Sequence, residues 1–352
     1  MITKLKAFLQ RLAESDDPQK AFIEDLITHV EEPTDRELYE VILKNQFNYI
    51  SSYSLQKCPH CGEDIDPLAK VHKLLPKLVV KVLDELIILR EFVGIQPLQG
   101  PVGQIFKLRC KKLEDSKRMS LEVLLHVVEA KSRKLHARFT MEAAQDLKTQ
   151  HGVDIEDEFL QALASETAHD IIAEILQDIQ TKVKRVEFAN GDQLGLHIQG
   201  AANDIAKKTR RGAGNFVILS IHSLALLRVT ESSTFVPMTD EEKSKYSSKS
   251  FLQYVGILNG TIKVFVDPFF EGDAIVGYKG GTGETDCGLV YSPYVMIMST
   301  GVVMDSLTFQ PVVGFLTRYG KTMDDAAKSY YITLKQKGKK IDLIEAIQGI
   351  EP

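Results

Sequence analysis

The feature that most limits what this chain can fold into is one long apolar stripe. Ile155, Phe159, Leu163, Thr167, Ile171, Ile175, Ile179 and Val183 recur every four residues, and Leu160, Ile172 and Leu176 widen the band. That is helical spacing with one buried face. Asp154 stands where it can cap the first turn, with Asp157 three residues on. The spacing predicts a helix from about 154 to about 183, roughly 40–45 Å long at 1.5 Å per residue. A helix of that length exceeds the globular norm and reads as a strut across the molecule.

The rest of the chain supplies what such a strut packs against. It has 352 residues, 44% hydrophobic and 26% charged, an ordinary globular balance. At roughly 150 residues per domain this suggests about two domains. No run of eighteen uncharged apolar residues offers a transmembrane helix. The start, MITKLKAFLQRLAESDD, lacks the apolar core and small-residue cleavage site of a secretory signal. Four cysteines are too few for a disulfide framework and fit a reducing cytoplasm. The net charge of −5 is concentrated in residues 1–40, with ten acidic and five basic residues, so the remainder is neutral. That leaves no overall basic excess of the kind that holds nucleic acid.

Before the long helix, residues 1–50 read as helical, with apolar faces at Leu5, Leu9, Leu12, Phe22 and Leu26 that need burial. Thr34 or Asp35 can cap a helix over 36–50, and residues 73–92 read as a further apolar helix. VGIQPLQGPVGQIFKLR (93–109) reads as a turning loop, in which at least one of Gly94, Gly100 and Gly103 is expected at positive φ. Residues 121–140 alternate partially and read as a hairpin or extended arm. After Gly191 come a short helix over 197–209 and strands at 215–222, 261–267, 289–298, 310–317 and 330–335. The fold class is α+β.

Enzyme signatures are missing from this sequence: no Gly-x-Ser-x-Gly, no His-Glu-x-x-His, no Gly-x-x-x-x-Gly-Lys. GYKGGTGETD (277–286) fails the phosphate-loop spacing, because Glu284 follows Gly283 where lysine should, and reads as a mobile hairpin or surface loop. Arg210 and Arg211 read as a charged helix end turning on Gly212 and Gly214. The sharpest motif is Cys58-Pro59-His60-Cys61-Gly62, half of a zinc knuckle. With no second Cys-x-x-Cys, further zinc ligands would come from His60, His72, Cys110 or another subunit; a reduced, metal-free pair is the competing reading. Cys287 reads as an ordinary buried thiol.

Five ordered segments resemble the major capsid proteins of tailed bacteriophages of the T-even-like myovirus type. They are FVGIQPLQGPVGQIFKLR (92–109), VEAKSRKLHARFTMEAAQDLKTQHGVDIEDEFLQALASE (128–166), IAKKTRRGAGNFVILS (205–220), YVGILNGTIKVFVDPFFEGDAIVGYKG (254–280) with GLVYSPYV (288–295), and TFQPVVGFLTRYG (308–320). The resemblance implies a Hong Kong 97-type capsid fold. Residues 1–72 would form an N-terminal helical arm carrying the Cys-x-x-Cys segment. Residues 73–189 would be the first part of a peripheral domain, with an extended loop about 108–140 and a spine helix about 154–183. Residues 190–309 would be an axial domain, and 310–352 would return to the peripheral domain and end in a tail.

The implied function is structural: hexamers and pentamers of this chain tiling an icosahedral head around double-stranded DNA held without sequence specificity. The implied partners are the chain itself, portal, scaffold and decoration proteins, with no membrane. The implied location is the virion, assembled in the bacterial cytoplasm. The alternatives are a vertex (pentamer) paralogue of the same fold and, in another class, a zinc-dependent binding module or enzyme using Cys58 and Cys61. In the shell reading the basic run Lys131, Arg133, Lys134 and Arg138 on the arm is expected to face Glu156, Asp157 and Glu158 of a neighbouring subunit.

Overall fold

The computed structural model describes residues 33–53, 78–79, 81–112, 119–140, 155–188, 194–230, 234–239, 251–280, 284–305, 310–325 and 327–337, with 142, 149 and 308 singly. The N-terminal faces at Leu5, Leu9, Leu12, Phe22 and Leu26 lie outside the described residues, as do Cys58, His60, Cys61 and His72. Within the described residues the chain mixes long helices and sheets, as the α+β expectation requires.

Helix α1 (Pro33–Tyr53) buries Tyr39, Ile42, Leu43 and Gln46, positions three and four apart on one face. A short helical stretch at 81–86 runs into a 3-10 turn at Ile87–Glu91. Strand β1 (Gly94–Ile95) follows, then β2 (Val102–Lys112), β3 (Met119–Glu129) and β4 (Lys131–Arg138). The 93–109 segment is therefore only briefly a loop, and residues from Val102 onward belong to a strand.

The apolar stripe forms helix α2 (Ile155–Lys182), about 42 Å long. Leu160, Leu163, Thr167, Ile171, Ile175 and Ile179 are buried along it, with Ala164 and Ala168 letting neighbours approach closely. The helix at 81–86 lies alongside. Lys81 Nζ donates to the Gln161 carbonyl at 2.9 Å, and Ser165 Oγ donates to Glu85 Oε1 at 2.8 Å. Burial and the Ser165 bond act in opposite directions on the Glu85 carboxyl, and burial wins, holding its pKa above the ordinary range.

Beyond α2 come β5 (Arg185–Phe188), α3 (Leu194–Thr209), β6 (Phe216–Leu219), α4 (Ile221–Thr230), β7 (Phe235–Pro237), β8 (Gln253–Leu258), β9 (Ile262–Val266) and β10 (Ala274–Gly277). The chain continues through β11 (Val290–Met304), β12 (Pro311–Thr322) and β13 (Tyr331–Gln336). Residues 215–222 were expected to be one strand. The strand instead stops at Leu219 and a helix starts at Ile221, because Ser220 Oγ accepts the Ser223 N–H at 3.3 Å as a cap.

Two principal sheets result. One has four strands in the order β1-β11-β12-β4, all antiparallel except the β1–β11 pair. The other has seven in the order β5-β13-β10-β6-β9-β8-β7. Its central strands are apolar on both faces (FVIL of β6, AIVG of β10), as a doubly covered sheet needs. One face packs on α3 and α4 through Val217, Leu219, Val264 and Val276. The other packs Phe216, Phe265 and Ile275 into the core shared with α2, where Phe92 sits 4.6 Å edge-to-face against Phe265.

Sheet membership crosses the boundary drawn at 309/310. β11 already belongs with β12 in the four-stranded sheet, and β13 returns between β5 and β10 of the seven-stranded sheet. The charged helix end falls where it was read, with α3 stopping at Thr209, but the residue that takes positive φ is Arg210 (φ 55) rather than Gly212 or Gly214.

Candidate assembly surface

β2 and β3 form a two-stranded ribbon in continuous register from Val102↔Glu129 to Lys112↔Met119. The projecting element is thus about 102–129. The segment after Ala130 was expected to extend the arm; it is β4, the edge strand of the four-stranded sheet, held to β12 over Lys131–Arg138. At the ribbon's base, Ile105, Val128 and Ala130 point inward and pack with Leu98, Cys287 and Val290. The opposite face is apolar and uncovered: Val102, Phe106, Val123, Leu125 and Val127 are between 47% and 67% exposed. Alternation places all five on one side. A contiguous apolar stripe of this kind marks a contact surface.

The base is mounted at two points. The Gln96 side chain acts on Phe106 as an added strand would: its Oε1 accepts the Phe106 N–H at 3.0 Å, and its Nε2 donates to the Phe106 carbonyl at 2.8 Å. The same Nε2 donates to the Glu284 carbonyl at 3.0 Å. On the inner face, Lys107 is only 4% exposed. Its ammonium donates to the Gly288 carbonyl at 2.9 Å and pairs with Asp324 at 3.0 Å, which satisfies a cation that would otherwise be costly to bury.

Both mounts rest on the segment after the glycine cluster. That segment was expected to be a mobile hairpin or surface loop; its described residues are tied inward instead. Glu284 accepts the Ile95 N–H at 2.7 Å and bonds from Arg90 at 3.2 Å, and Lys279 lies 3.4 Å from it. Lys279 Nζ also donates to the Arg90 carbonyl, and Gly280 N–H to the Asp286 carbonyl at 2.9 Å.

The turn glycines need a correction. Positive φ among the described glycines occurs at Gly256 and Gly260, and Gly94, Gly100 and Gly103 are free of it. Two of the three are glycine because of close approach. A Cβ on Gly94 would stand 2.5 Å from Cys287 Sγ and from the Glu284 carbonyl, and one on Gly103 would stand 2.6 Å from Leu98 Cδ2. A Cβ on Gly100 would make only an ordinary contact, 3.7 Å from the Val102 carbonyl. Cys287 is buried as expected, and burial pushes its thiol up to about 11.

The interface candidates on β4 divide. Lys131, Lys134 and Arg138 are exposed, as is Glu158; the side chains of Glu156 and Asp157 lie outside the described residues, as does that of Cys110. Arg133 was expected to reach a neighbour's acidic residues; within the chain its guanidinium is already engaged. Alternation turns it inward towards α2, where Nε and Nη2 make a bidentate pair with Glu174 at 3.1 and 2.8 Å. Its guanidinium lies 3.9 Å from the centroid of the Tyr319 ring. Lys321 adds pairs to Glu174 at 2.7 Å and Asp178 at 2.6 Å, and Tyr319 OH donates to Glu174. Burial pushes the Glu174 carboxyl up, but these donors and the Arg133 charge outweigh it and hold its pKa at about 2. An open groove of about 380 Å³ runs beside this cluster, between β4, β12 and α2.

What the fold defines, among the described residues, is a two-sheet body carrying an uncovered apolar face on a β-ribbon. The chain belongs to the family described as major capsid protein Gp23, whose model matches residues 111–346. It is 33% identical over 231 residues to the major capsid protein of Vibrio phage KVP40, covering 57% of this chain and 45% of that protein. It is 25% identical over 239 residues to the capsid vertex protein of Enterobacteria phage T4, covering 60% of this chain and 53% of that one. The chain therefore spans about half the length of the curated relatives it matches. The solved capsid of Myoviridae phage XM1 superposes with a TM-score of 0.43 at 9% identity, over 72% of this chain and 92% of that one. Among the described residues, no helix is long and apolar enough to cross a membrane.

Proposed function

We propose that this chain is a structural subunit of a tailed-phage head, assembling into hexamers and pentamers that tile an icosahedral shell around double-stranded DNA. The observation that carries the reading is the apolar outer face of the β2–β3 ribbon on a member of a capsid family. In the Hong Kong 97-type arrangement, α2 is the spine helix, which forms the peripheral domain with the four-stranded sheet. The seven-stranded sheet with α3 and α4 is the axial domain, and the ribbon is the extended loop that lies over a neighbouring copy. Lys131, Lys134, Arg138 and Glu158 remain exposed for contacts between copies. No catalytic step is assigned. Portal, scaffold and decoration proteins would be its partners during assembly in the host cytoplasm. Zinc on Cys58 and Cys61, with His60 or His72, is a structural accessory in this reading, and metal analysis of the purified chain checks it.

Electron microscopy of the purified full chain tests the proposal. Ring-shaped capsomers or closed particles are expected, and a persistent monomer at high concentration would overturn it. The likeness to a vertex protein supports a second reading, in which the chain fills only pentamers. Copy number per particle separates the two, since a vertex subunit is confined to the five-fold positions.

A further inference from the structure

The glycine cluster, its anchored glutamate and the ribbon's base meet at one place. We propose that Gln96 and Lys107 are positioning residues for assembly: together they fix the angle at which the β2–β3 ribbon leaves the body, using the 284–288 segment as their seat. The proposal rests on the assembly reading above for its consequence, though not for its geometry.

A free two-stranded ribbon twists and bends easily, because no third strand or second layer holds it. Here the outer edge of β2 and the inner face of the ribbon each have a fastener at the base. On the outer edge of β2, the Gln96 carboxamide occupies both backbone groups of Phe106 and is itself held by the Glu284 carbonyl. On the inner face, the next residue, Lys107, reaches the Gly288 carbonyl and the Asp324 carboxylate. Gln96 holds the Phe106 backbone in the plane of the ribbon and Lys107 holds its inner face, so the ribbon is gripped in two directions at one level, which opposes both hinge and twist there.

The seat is itself fixed. The Glu284 carboxylate joins Arg90, Lys279 and the Ile95 N–H. The 277–288 segment links β10 of the seven-stranded sheet to β11 of the four-stranded sheet, so the ribbon's angle is referred to the junction of the two sheets. Gly94 belongs to this geometry, since a side chain there would push β1 off Glu284 and Cys287. Of the apolar contact residues, Phe106 and Leu125 stand level with the mount and Val123 beyond it, with Val102 and Val127 on its body side. A loss of angle would misplace the outer part of this face without removing any residue.

The test uses the full chain and the variants Gln96→Leu, Lys107→Met and both together. Spin labels placed at positions 123 and 158 through a non-cysteine handle, diluted into unlabelled protein, report the ribbon-to-α2 distance. The parent should give one narrow distribution. The double variant should give one at least twofold broader, with Gln96→Leu intermediate and still cooperatively folded. Exchange of the Phe106 amide proton should quicken at least tenfold in Gln96→Leu, while amides in the middle of β12 stay unchanged. Particle yield should fall at least tenfold in the double variant although Val102, Phe106, Val123, Leu125 and Val127 are all present. An unchanged distance distribution in a folded Gln96→Leu protein overturns the mount. A broadened ribbon with normal yield and particle size overturns its role in assembly. A parent chain that never assembles overturns the shell reading instead, and is seen in the parent alone.

Discussion

Two long ribbons of this molecule have the same construction and opposite circumstances. β11–β12 and β2–β3 are both antiparallel pairs more than ten residues long. β11–β12 is covered within the chain along most of its length, with Val303 and Met304 at the end of β11 exposed. Phe315, Thr317 and Tyr319 turn towards α2, while on β11 the α1 residue Gln46 donates to the Ile297 carbonyl at 2.6 Å and accepts its N–H at 3.4 Å. That bond falls between Val295 and Met298, where the β11–β12 register shifts and ladder partners are lost. β2–β3 is covered only at its base and turns an apolar face outward. The difference separates a ribbon whose apolar residues contribute to folding from one whose apolar residues, on the assembly proposed above, are left for association.

That contrast can be broken by substitution. Phe315→Ala removes a fully buried ring from the covered ribbon and should cost about 3–5 kcal/mol in denaturant unfolding. A loss below about 1 kcal/mol would mean that β12 is not held as described. Arg133→Ala, at the clamp between β4 and α2, should destabilise by about 2–3 kcal/mol by removing two charge-assisted hydrogen bonds and leaving Glu174 underpaired. Reversal to glutamate should be worse and should lower the yield of folded monomer, contrary to the interface role expected of Arg133.

Acid sharpens the same clamp. The Glu174 pKa is about 2 in the folded chain against an ordinary 4.5. A depressed carboxyl contributes stability above its unfolded value, and that contribution is lost as pH falls from about 4.5 towards 2. Burial holds Asp84, Glu85 and Asp170 the other way, above their ordinary values. The clean measurement is therefore the difference between the parent and Glu174→Gln. It should shrink steadily across that window, and a pH-independent difference would count against the clamp.

The smallest effect on folding belongs to the uncovered ribbon. Leu125→Ser should change monomer stability by about 0.5 kcal/mol or less and yet abolish particle formation. A large loss of monomer stability would mean that the outer face is covered within the chain.

Much of this was legible in the sequence, and the failures have physical causes. The period of α2 was clear because one face is buried along its whole length. β2 gave no such signal: Val102 and Phe106 point outward while Ile105 points inward, so apolar residues on both faces erase the alternation. Beside Gly94, Pro97, Gly100 and Pro101, that run reads as a loop. The glycines suggested unusual dihedrals, whereas the need at Gly94 and Gly103 is room for Cys287, Glu284 and Leu98, neighbours that spacing cannot reveal. Arg133 looked like part of a basic surface because its partner Glu174 lies 41 residues away. Gln96, Lys107 and Glu284 carry no motif, and their roles exist only once three segments meet. One signal went unread: Asn259-Gly260, both at positive φ, form the tight turn between β8 and β9.

The return of β13 sets a clock on biosynthesis. β5 is joined to the seven-stranded sheet through β13, pairing Arg185 with Thr333. Nothing else in the strand order attaches it. At roughly 5–20 residues per second, β5 leaves the ribosome on the order of 7–30 s before the strand that secures it. Until then the nascent sheet exposes the open edge of β10, which later accepts β13. Such long-range closure is slow and leaves edges open to wrong pairing. The seven-stranded sheet thus acquires its finished contour only once β13 has been made, and the edge of β10 is sealed at the same step that secures β5.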